Sequence, residues 1–160
     1  MKAFLLTITS IALTSCISMH SNDPASLLFN IPDGSSLTLN KDLPIAKDNT
    51  HVVIQHGKIV AEKNKNQYDI SCSFEMKAFG PRTVTPDTFI IRRTEDGEER
   101  VTMGTVRYNT EVYLHSDHNS DIIKLDCSVW GNRADGSFSV SEMQAALGDY
   151  FSFNFTKTIK

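Results

Sequence analysis

The sequence predicts an all-β domain, an antiparallel sandwich or a partly closed barrel, with one short helix near the C-terminus. Three features support this fold class. Apolar and polar residues alternate through most of the chain, as they do in strands with one buried face. Turn-forming residues separate these stretches at short intervals. Helix-start signals precede a helical apolar face only once, near residue 140.

Short strands separated by turns are predicted in the first half of the chain. Residues 35–46 predict an early strand that is broken at Pro44. Residues 51–63 predict two short strands hinged at Gly57. The first cysteine-containing strand follows at residues 67–79, where apolar and polar side chains alternate.

A hairpin and the second cysteine-containing strand are predicted after residue 86. A hairpin is predicted for residues 87–109, with Asp96-Gly97 as its tight turn, because this pair supplies the positive φ that such turns need. Apolar residues alternate again through 105–115. The polar loop 116–121 then leads to the second cysteine-containing strand, "DIIKLDCSVW".

One helix is predicted to begin after Ser139. Ser139 and Glu142 have the spacing of a capping box, and Gly148 lies where a glycine commonly ends a helix. Three apolar residues share one face of this helix: Val140, Met143 and Leu147. A final strand carries Phe151, Phe153 and Phe155 on one face, either as part of the core or as the lining of a lipid-binding cavity.

Cys72 and Cys127 lie on the apolar faces of their strands. Such strands bring the sulfurs together if they are neighbours in one sheet or face each other across a core. The alternatives are a redox pair and two buried free thiols. Because the chain has no CxxC motif and no nearby base that would lower a thiol pKa, a structural disulfide is predicted.

The N-terminus resembles a bacterial lipoprotein signal. A basic start and the apolar stretch 3–13 precede Leu13-Thr14-Ser15-Cys16, which resembles a lipobox. Residues 1–15 are therefore predicted to be a signal peptide that is removed, with acyl chains such as palmitate attached to Cys16. The alternatives are an ordinary signal peptide that contains a cysteine and a buried N-terminal helix. Ile17, where a retention signal would have aspartate, favours the outer membrane, facing the periplasm.

Composition limits the possible partners of the remaining chain. Loss of residues 1–15, which contain one basic residue and no acidic one, leaves 145 residues with 15 basic and 19 acidic side chains, a formal charge of −4. This balance argues against nucleic acid, whose binding depends on neutralised phosphates. Residues 16–26 predict a tether, and residues 27–160 predict a single β-rich domain.

Several segments together resemble a known family. "IPDGSSLTLNKDLPI", "HVVIQHGKI", "YDISCSF", "TPDTFII" and "ALGDYFSF" resemble small bacterial envelope lipoproteins of unknown function. The resemblance covers nearly the whole mature chain. It implies a lipid-anchored envelope protein and carries over no activity.

The sequence pattern most typical of a metal or catalytic site is a loop with two histidines. His115, Asp117 and His118 are weak candidates for a zinc site, and the alternative is a solvated loop rich in turn formers. Neither a nucleophile elbow nor a glycine-rich phosphate loop occurs in the sequence. The expectation is therefore no catalytic residue, no bound metal and no cofactor. Trp130 is either an anchor for a partner or a cover for the disulfide.

The predicted function is a non-catalytic interaction module that binds another envelope component and is held at the membrane by its N-terminal lipid anchor. One alternative is a carrier of a lipid or another small apolar ligand. A second is a metal-dependent enzyme that uses His115, Asp117 and His118. A filled core would favour the interaction module, whereas an internal cavity of roughly 300 Å³ or more would favour the carrier.

Overall fold

The computed structural model of the protein describes residues 20–134 and 136–156. These residues form ten strands, in most of which apolar and polar side chains alternate, and one α-helix. The elements, in chain order, are β1 (Ser36–Leu39), β2 (Leu43–Ile45), β3 (His51–Gln55), β4 (Lys58–Val60), β5 (Ser71–Met76), β6 (Arg82–Val84), β7 (Asp87–Arg100), β8 (Val106–His115), β9 (Ile122–Gly131), α1 (Val140–Leu147) and β10 (Phe151–Asn154).

Eight strands form one antiparallel sheet in the order β10-β1-β7-β8-β9-β5-β3-β4, while β2 and β6 pair separately. The large sheet curls strongly. Phe74 on β5 and Phe151 on β10 lie five places apart in strand order, yet their ring centroids are 5.0 Å apart. The sheet is therefore a half-barrel, which confirms the predicted all-β class with its short C-terminal helix.

Helix α1 packs against β3, β5 and β10 and so crosses the inside of the half-barrel. Its predicted capping box is confirmed: the Glu142 N–H donates to Ser139 Oγ over 3.3 Å, and Ser139 N–H donates to Glu142 Oε2 over 2.7 Å. The helix ends at Gly148 with φ 57°, where an added Cβ would lie 2.6 Å from Cα of Gly57. Glycine at this position lets the β3–β4 turn approach the helix.

Aromatic side chains fill the middle of the half-barrel. Phe74, Phe89 and Phe151 come from three different strands, and each has no exposed surface. The Phe74 and Phe89 rings lie 5.5 Å apart, and α1 adds Met143 and Leu147 to the same cluster. Burial of this apolar surface provides most of the folding energy.

The predicted turn at Asp96-Gly97 is wrong. β7 continues through both residues to Arg100 and pairs with β8 over its whole second half, so the chain reverses at residues 101–105. Gly97 has no positive φ, and an added Cβ would lie 2.4 Å from Oδ1 of Asn109 on β8. The glycine therefore allows two strands to pair closely, because the long partnership with β8 outweighs the local turn preference.

The predicted break at Pro44 is also misplaced. The chain leaves β1 at Asn40, and Pro44 lies inside β2, opposite Thr83 of β6. A two-stranded sheet has only edge strands, which tolerate the missing N–H of proline. The two short strands around Gly57 are confirmed as β3 and β4.

The predicted disulfide is confirmed. Cys72 on β5 and Cys127 on β9 are directly opposite each other in adjacent antiparallel strands, and both are fully buried. Of the two arrangements that the sequence allows, the structure has neighbours in one sheet.

The predicted signal peptide and Cys16 lie outside the described residues. From His20 onward, the segment predicted as a tether contacts the domain: the Ser141 N–H donates to the Pro24 carbonyl over 3.0 Å, and the Ser21 N–H to the Leu28 carbonyl over 3.2 Å. Within the described residues, no helix has the length and apolar character needed to cross a membrane.

Candidate partner-binding groove

An open groove lies at the end of the half-barrel where β5 begins and β9 ends. Tyr68 and Trp130 stand at its edge with their ring centroids 6.0 Å apart and their planes at 83°. The backbone N–H of Trp130 donates to the Gln67 carbonyl over 2.7 Å, and this bond holds the loop before β5 against the end of β9. We call this feature the Tyr68–Trp130 groove.

Helix α1 and the segment before it form the other wall of the groove. Ile70 and Val129 from the sheet side face Phe138 and Ala146 from the helix side. The groove has a volume of about 480 Å³, within the range of 300–1,000 Å³ that is typical of ligand pockets. Its lining combines polar and apolar side chains.

Polar groups at the rim of the groove are already hydrogen-bonded. His56 Nε2 lies 3.2 Å from Asp69 Oδ2, and Asn66 Nδ2 donates to the same oxygen over 2.7 Å. Glu142 also lines the groove, but its carboxylate accepts the capping bonds of α1. The polar groups at the rim of the groove therefore contact one another or the start of α1.

Tyr68 is the most exposed aromatic residue of the groove, with 64% of its surface accessible. Trp130 is partly buried and follows Cys127 by three residues, so it lies on the opposite face of β9. The ring of Trp130 packs against Tyr68. Of the two roles that the sequence suggests for Trp130, this position suits the partner anchor.

The two histidines of the candidate zinc loop lie next to different carboxylates. His115 Nε2 lies 3.2 Å from Asp117 Oδ1, whereas His118 Nδ1 lies 3.8 Å from Asp87 Oδ1. In the described part of the chain, no three or more His, Cys, Asp or Glu side chains are grouped so as to hold a metal ion. The histidines therefore contact separate carboxylates.

Asp87, at the start of β7, organises this loop. Its Oδ2 accepts hydrogen bonds from Ser116 Oγ at 2.6 Å and Asn119 Nδ2 at 2.7 Å. Burial alone would raise the pKa of Asp87, but these bonds and the Thr88 N–H outweigh it and lower the pKa. No sequence pattern signals this contact, since Asp87 precedes Ser116 by 29 residues.

The three phenylalanines of the last strand have different surroundings. Phe151 is fully buried in the core, whereas Phe153 and Phe155 are partly buried at the edge of the half-barrel. Phe155 packs edge-on against Phe29 with centroids 5.0 Å apart. Phe153 and Phe155 line a surface groove of about 260 Å³, while the middle of the half-barrel contains aromatic rings.

The convex face of the sheet carries paired charges. Lys124 Nζ lies 2.6 Å from Glu111 and 3.8 Å from Glu75, and the Tyr113 hydroxyl donates to Glu111 over 2.6 Å. Hydrogen bonds from Lys124 and Tyr113 lower the pKa of Glu111. Because these charges satisfy one another across neighbouring strands, this face is typical of a solvated surface.

Comparison of the chain with protein-family models, with curated proteins and with solved structures found no match in any of the three.

Proposed function

We propose that the protein is a lipid-anchored component of the bacterial envelope that binds another envelope protein through the Tyr68–Trp130 groove and catalyses no reaction. In this proposal Cys16 carries the acyl chains, and the domain faces the periplasm from the outer membrane. The observation that carries the proposal is a groove of about 480 Å³ with two aromatic side chains at its edge.

Aromatic side chains at an open groove are typical of protein interfaces. Tryptophan and tyrosine are enriched among the few residues that supply most of the binding energy. Tyr68 is 64% exposed, although this chain buries Phe74, Phe89 and Phe151 completely. A partner that covers Tyr68 and Trp130 would remove this apolar surface from water.

The short distance to the anchor also supports an accessory role. Five residue steps separate Cys16 from Ser21, whose backbone N–H donates to the Leu28 carbonyl. At about 3.5 Å per residue, this segment spans at most about 18 Å. The domain would therefore stay next to the membrane and meet partners that are themselves held there.

The filled half-barrel supports an interaction module over a carrier. Phe74, Phe89 and Phe151 occupy the space that an acyl chain would need. The polar groups around the groove bind one another or cap α1, an arrangement that suits recognition better than proton transfer.

Site-specific photo-crosslinking in intact cells tests the groove. A photoreactive amino acid at Tyr68 should form one recurrent adduct with an envelope protein, and Trp130→Ala should reduce that adduct at least several-fold. Phe79 provides the matched control, because it is 69% exposed and follows β5 at the opposite end from Tyr68. Equal adducts from both positions, or none from Tyr68, would contradict the proposal.

Fractionation tests the anchor independently. The mature protein should begin at Cys16 and sediment with outer membranes, because several acyl chains hold a protein stably at a bilayer. Cys16→Ser should release it into the soluble periplasmic fraction. Unchanged processing and unchanged membrane association of the Cys16→Ser variant would show that Cys16 is not lipidated.

A further inference from the structure

A turn near the start of the described chain exposes two leucines. In residues 26–29, the Phe29 N–H donates to the Ser26 carbonyl over 3.1 Å, and the Leu28 N–H donates to Ser26 Oγ over 3.2 Å. Leu27 and Leu28 occupy the two central positions, with 58% and 50% of their surfaces exposed. Among the exposed large apolar residues of the described chain, only these two are adjacent in sequence. We call residues 26–29 the Leu27–Leu28 turn.

Leucine is an unusual residue at the centre of a turn, where glycine, proline, asparagine, aspartate and serine predominate. Neither Leu27 nor Leu28 has a positive φ, so the backbone of this turn accepts most residue types, including polar ones. A single exposed leucine is common on protein surfaces. Two adjacent ones at a turn present a continuous apolar surface to water, and contact with an apolar phase would remove that surface from water.

Contacts on both sides of the Leu27–Leu28 turn hold it against the domain. The Phe29 ring packs edge-on against Phe155 with centroids 5.0 Å apart. On the other side, the Ser26 N–H donates to the Asp23 carbonyl over 2.9 Å, and the Ser21 N–H donates to the Leu28 carbonyl over 3.2 Å. The two leucines therefore have a fixed position relative to the domain.

The Leu27–Leu28 turn lies close to the proposed lipid anchor. Ser21, which is hydrogen-bonded to Leu28, follows Cys16 by five residue steps. At about 3.5 Å per residue, the chain between them spans at most about 18 Å. With acyl chains on Cys16 in the bilayer, Leu28 stays within this distance plus one hydrogen bond of the membrane surface. The length of this segment therefore favours the lipid bilayer as the apolar phase that covers the two leucines.

We propose that Leu27 and Leu28 insert into the bilayer beside the acyl chains of Cys16 and thereby fix the orientation of the domain on the membrane. This proposal rests on the anchor at Cys16 that the proposed function includes. Residues 20–34 contain two carboxylates, Asp23 and Asp33, and no lysine or arginine, so apolar contact and not attraction to anionic lipids supplies the binding. Two leucines bury too little surface to hold a protein at a bilayer, so they orient a domain that the anchor retains.

Fluorescence quenching by brominated lipid tests the proposal. The full-length protein from the envelope is reconstituted into phosphatidylcholine vesicles with brominated acyl chains, and a nitrobenzoxadiazole dye is attached to Ala25→Cys, an exposed position beside the Leu27–Leu28 turn. The introduced thiol reacts alone, since Cys72 and Cys127 form the disulfide and Cys16 carries lipid in the proposal. Quenching should be at least several-fold stronger than for the same dye on Phe79→Cys, at a residue 69% exposed.

Substitution of the two leucines is the second arm of the experiment. Leu27→Asn with Leu28→Asn keeps residues that suit a turn and should reduce the quenching at position 25 at least several-fold, whereas Phe79→Asn, the matched control, should leave it unchanged.

The outcomes separate this proposal from the anchor on which it rests. Vesicle flotation without quenching at position 25, or equal quenching in the Asn variants and the wild type, would overturn the orientation by Leu27 and Leu28 alone. A blue shift of the dye without quenching would also overturn it, because the leucines would then contact protein, such as a second copy of the chain. Failure of the protein to float with the vesicles would overturn the anchor as well.

Discussion

The two halves of β7 have opposite surroundings. Residues 87–91 pair with β1 from Asp87 to Ile90 and with β8 from Ile90 onward, and they bury Phe89 and Ile91. Residues 92–100 have β8 on one side and bury no side chain. The first half belongs to what we call the closed end, where β1, β5, β7 and β10 meet around Phe74. The second half belongs to what we call the open end, which also contains the Tyr68–Trp130 groove. The comparison indicates that the closed end holds the fold, while the open end is available for binding.

The largest loss of stability should follow truncation at the closed end. Phe74→Ala removes a fully buried ring that contacts Phe89 and Phe151. Unfolding in urea should show a loss of roughly 3–5 kcal/mol, from lost burial plus the cavity left behind. Phe79→Ala, at a site 69% exposed, should change the free energy of unfolding by under about 0.5 kcal/mol. Similar losses of unfolding free energy for both variants would show that the closed end does not hold the fold.

Loss of the disulfide should have the next largest effect. Cys72 follows the first residue of β5 and joins Cys127 across 55 residues. Replacing both with alanine should lower the free energy of unfolding by roughly 2–4 kcal/mol, because the unfolded chain gains freedom. Hydrogen exchange should accelerate more at the open-end residues 67–71 and 128–131 than at Phe74. The reverse order would place the disulfide's effect at the closed end.

The cap of α1 should contribute less. Ser139→Ala removes the hydroxyl that accepts the Glu142 N–H. The expected loss is about 1 kcal/mol, the usual cost of losing an N-cap. Ser141→Ala, at an exposed position of the same helix, is the control and should have almost no effect. Equal stability of the two variants in urea would show that the capping box does not hold α1 in place.

Acid should weaken the closed end through Asp87. Its lowered pKa means that the ionised carboxylate stabilises the folded state. This stabilisation is complete above the unfolded pKa of about 3.9 and is lost as the pH falls through the lower folded value. Asp87→Asn should therefore lose stability at pH 7, and its urea midpoint should fall less than that of the wild type when the pH drops below about 4. If the urea midpoints of the wild type and Asp87→Asn depend on pH in the same way, the Asp87 carboxylate does not stabilise the folded state.

The smallest change in stability should follow truncation at the open end. Tyr68→Ala, at a residue 64% exposed, should alter the free energy of unfolding by under about 0.5 kcal/mol. Loss of the aromatic side chain should nevertheless reduce partner crosslinking from a photoreactive residue placed at Ala145, another exposed lining residue of the groove. A large loss of stability would instead assign Tyr68 to the fold.

Local sequence patterns predicted the features that lie within a few residues well and the features that combine distant segments poorly. Period-two alternation placed Cys72 and Cys127 on buried faces, and the capping box located α1, because both signals lie within a few residues. The turn predicted at Asp96-Gly97 was wrong because pairing with the distant strand β8, and not the local residue pair, determines the conformation there. Trp130 was a candidate anchor, but its contact with Tyr68 joins residues far apart in the sequence. A crevice lined by residues 26–31, 94–96, 110 and 137–143 likewise combines four separate segments, so no local pattern predicts it.

Hydroxyl-radical footprinting of Tyr68 tests most directly whether the open end is covered in the envelope. The oxidation of Tyr68 is compared between intact cells and lipid vesicles that contain only the purified anchored protein, with Phe79 as the internal reference. Our account predicts that oxidation of Tyr68 is several-fold lower in cells than in vesicles, while that of Phe79 is unchanged. Equal oxidation of Tyr68 in cells and vesicles, or an equal decrease at Phe79, would contradict it.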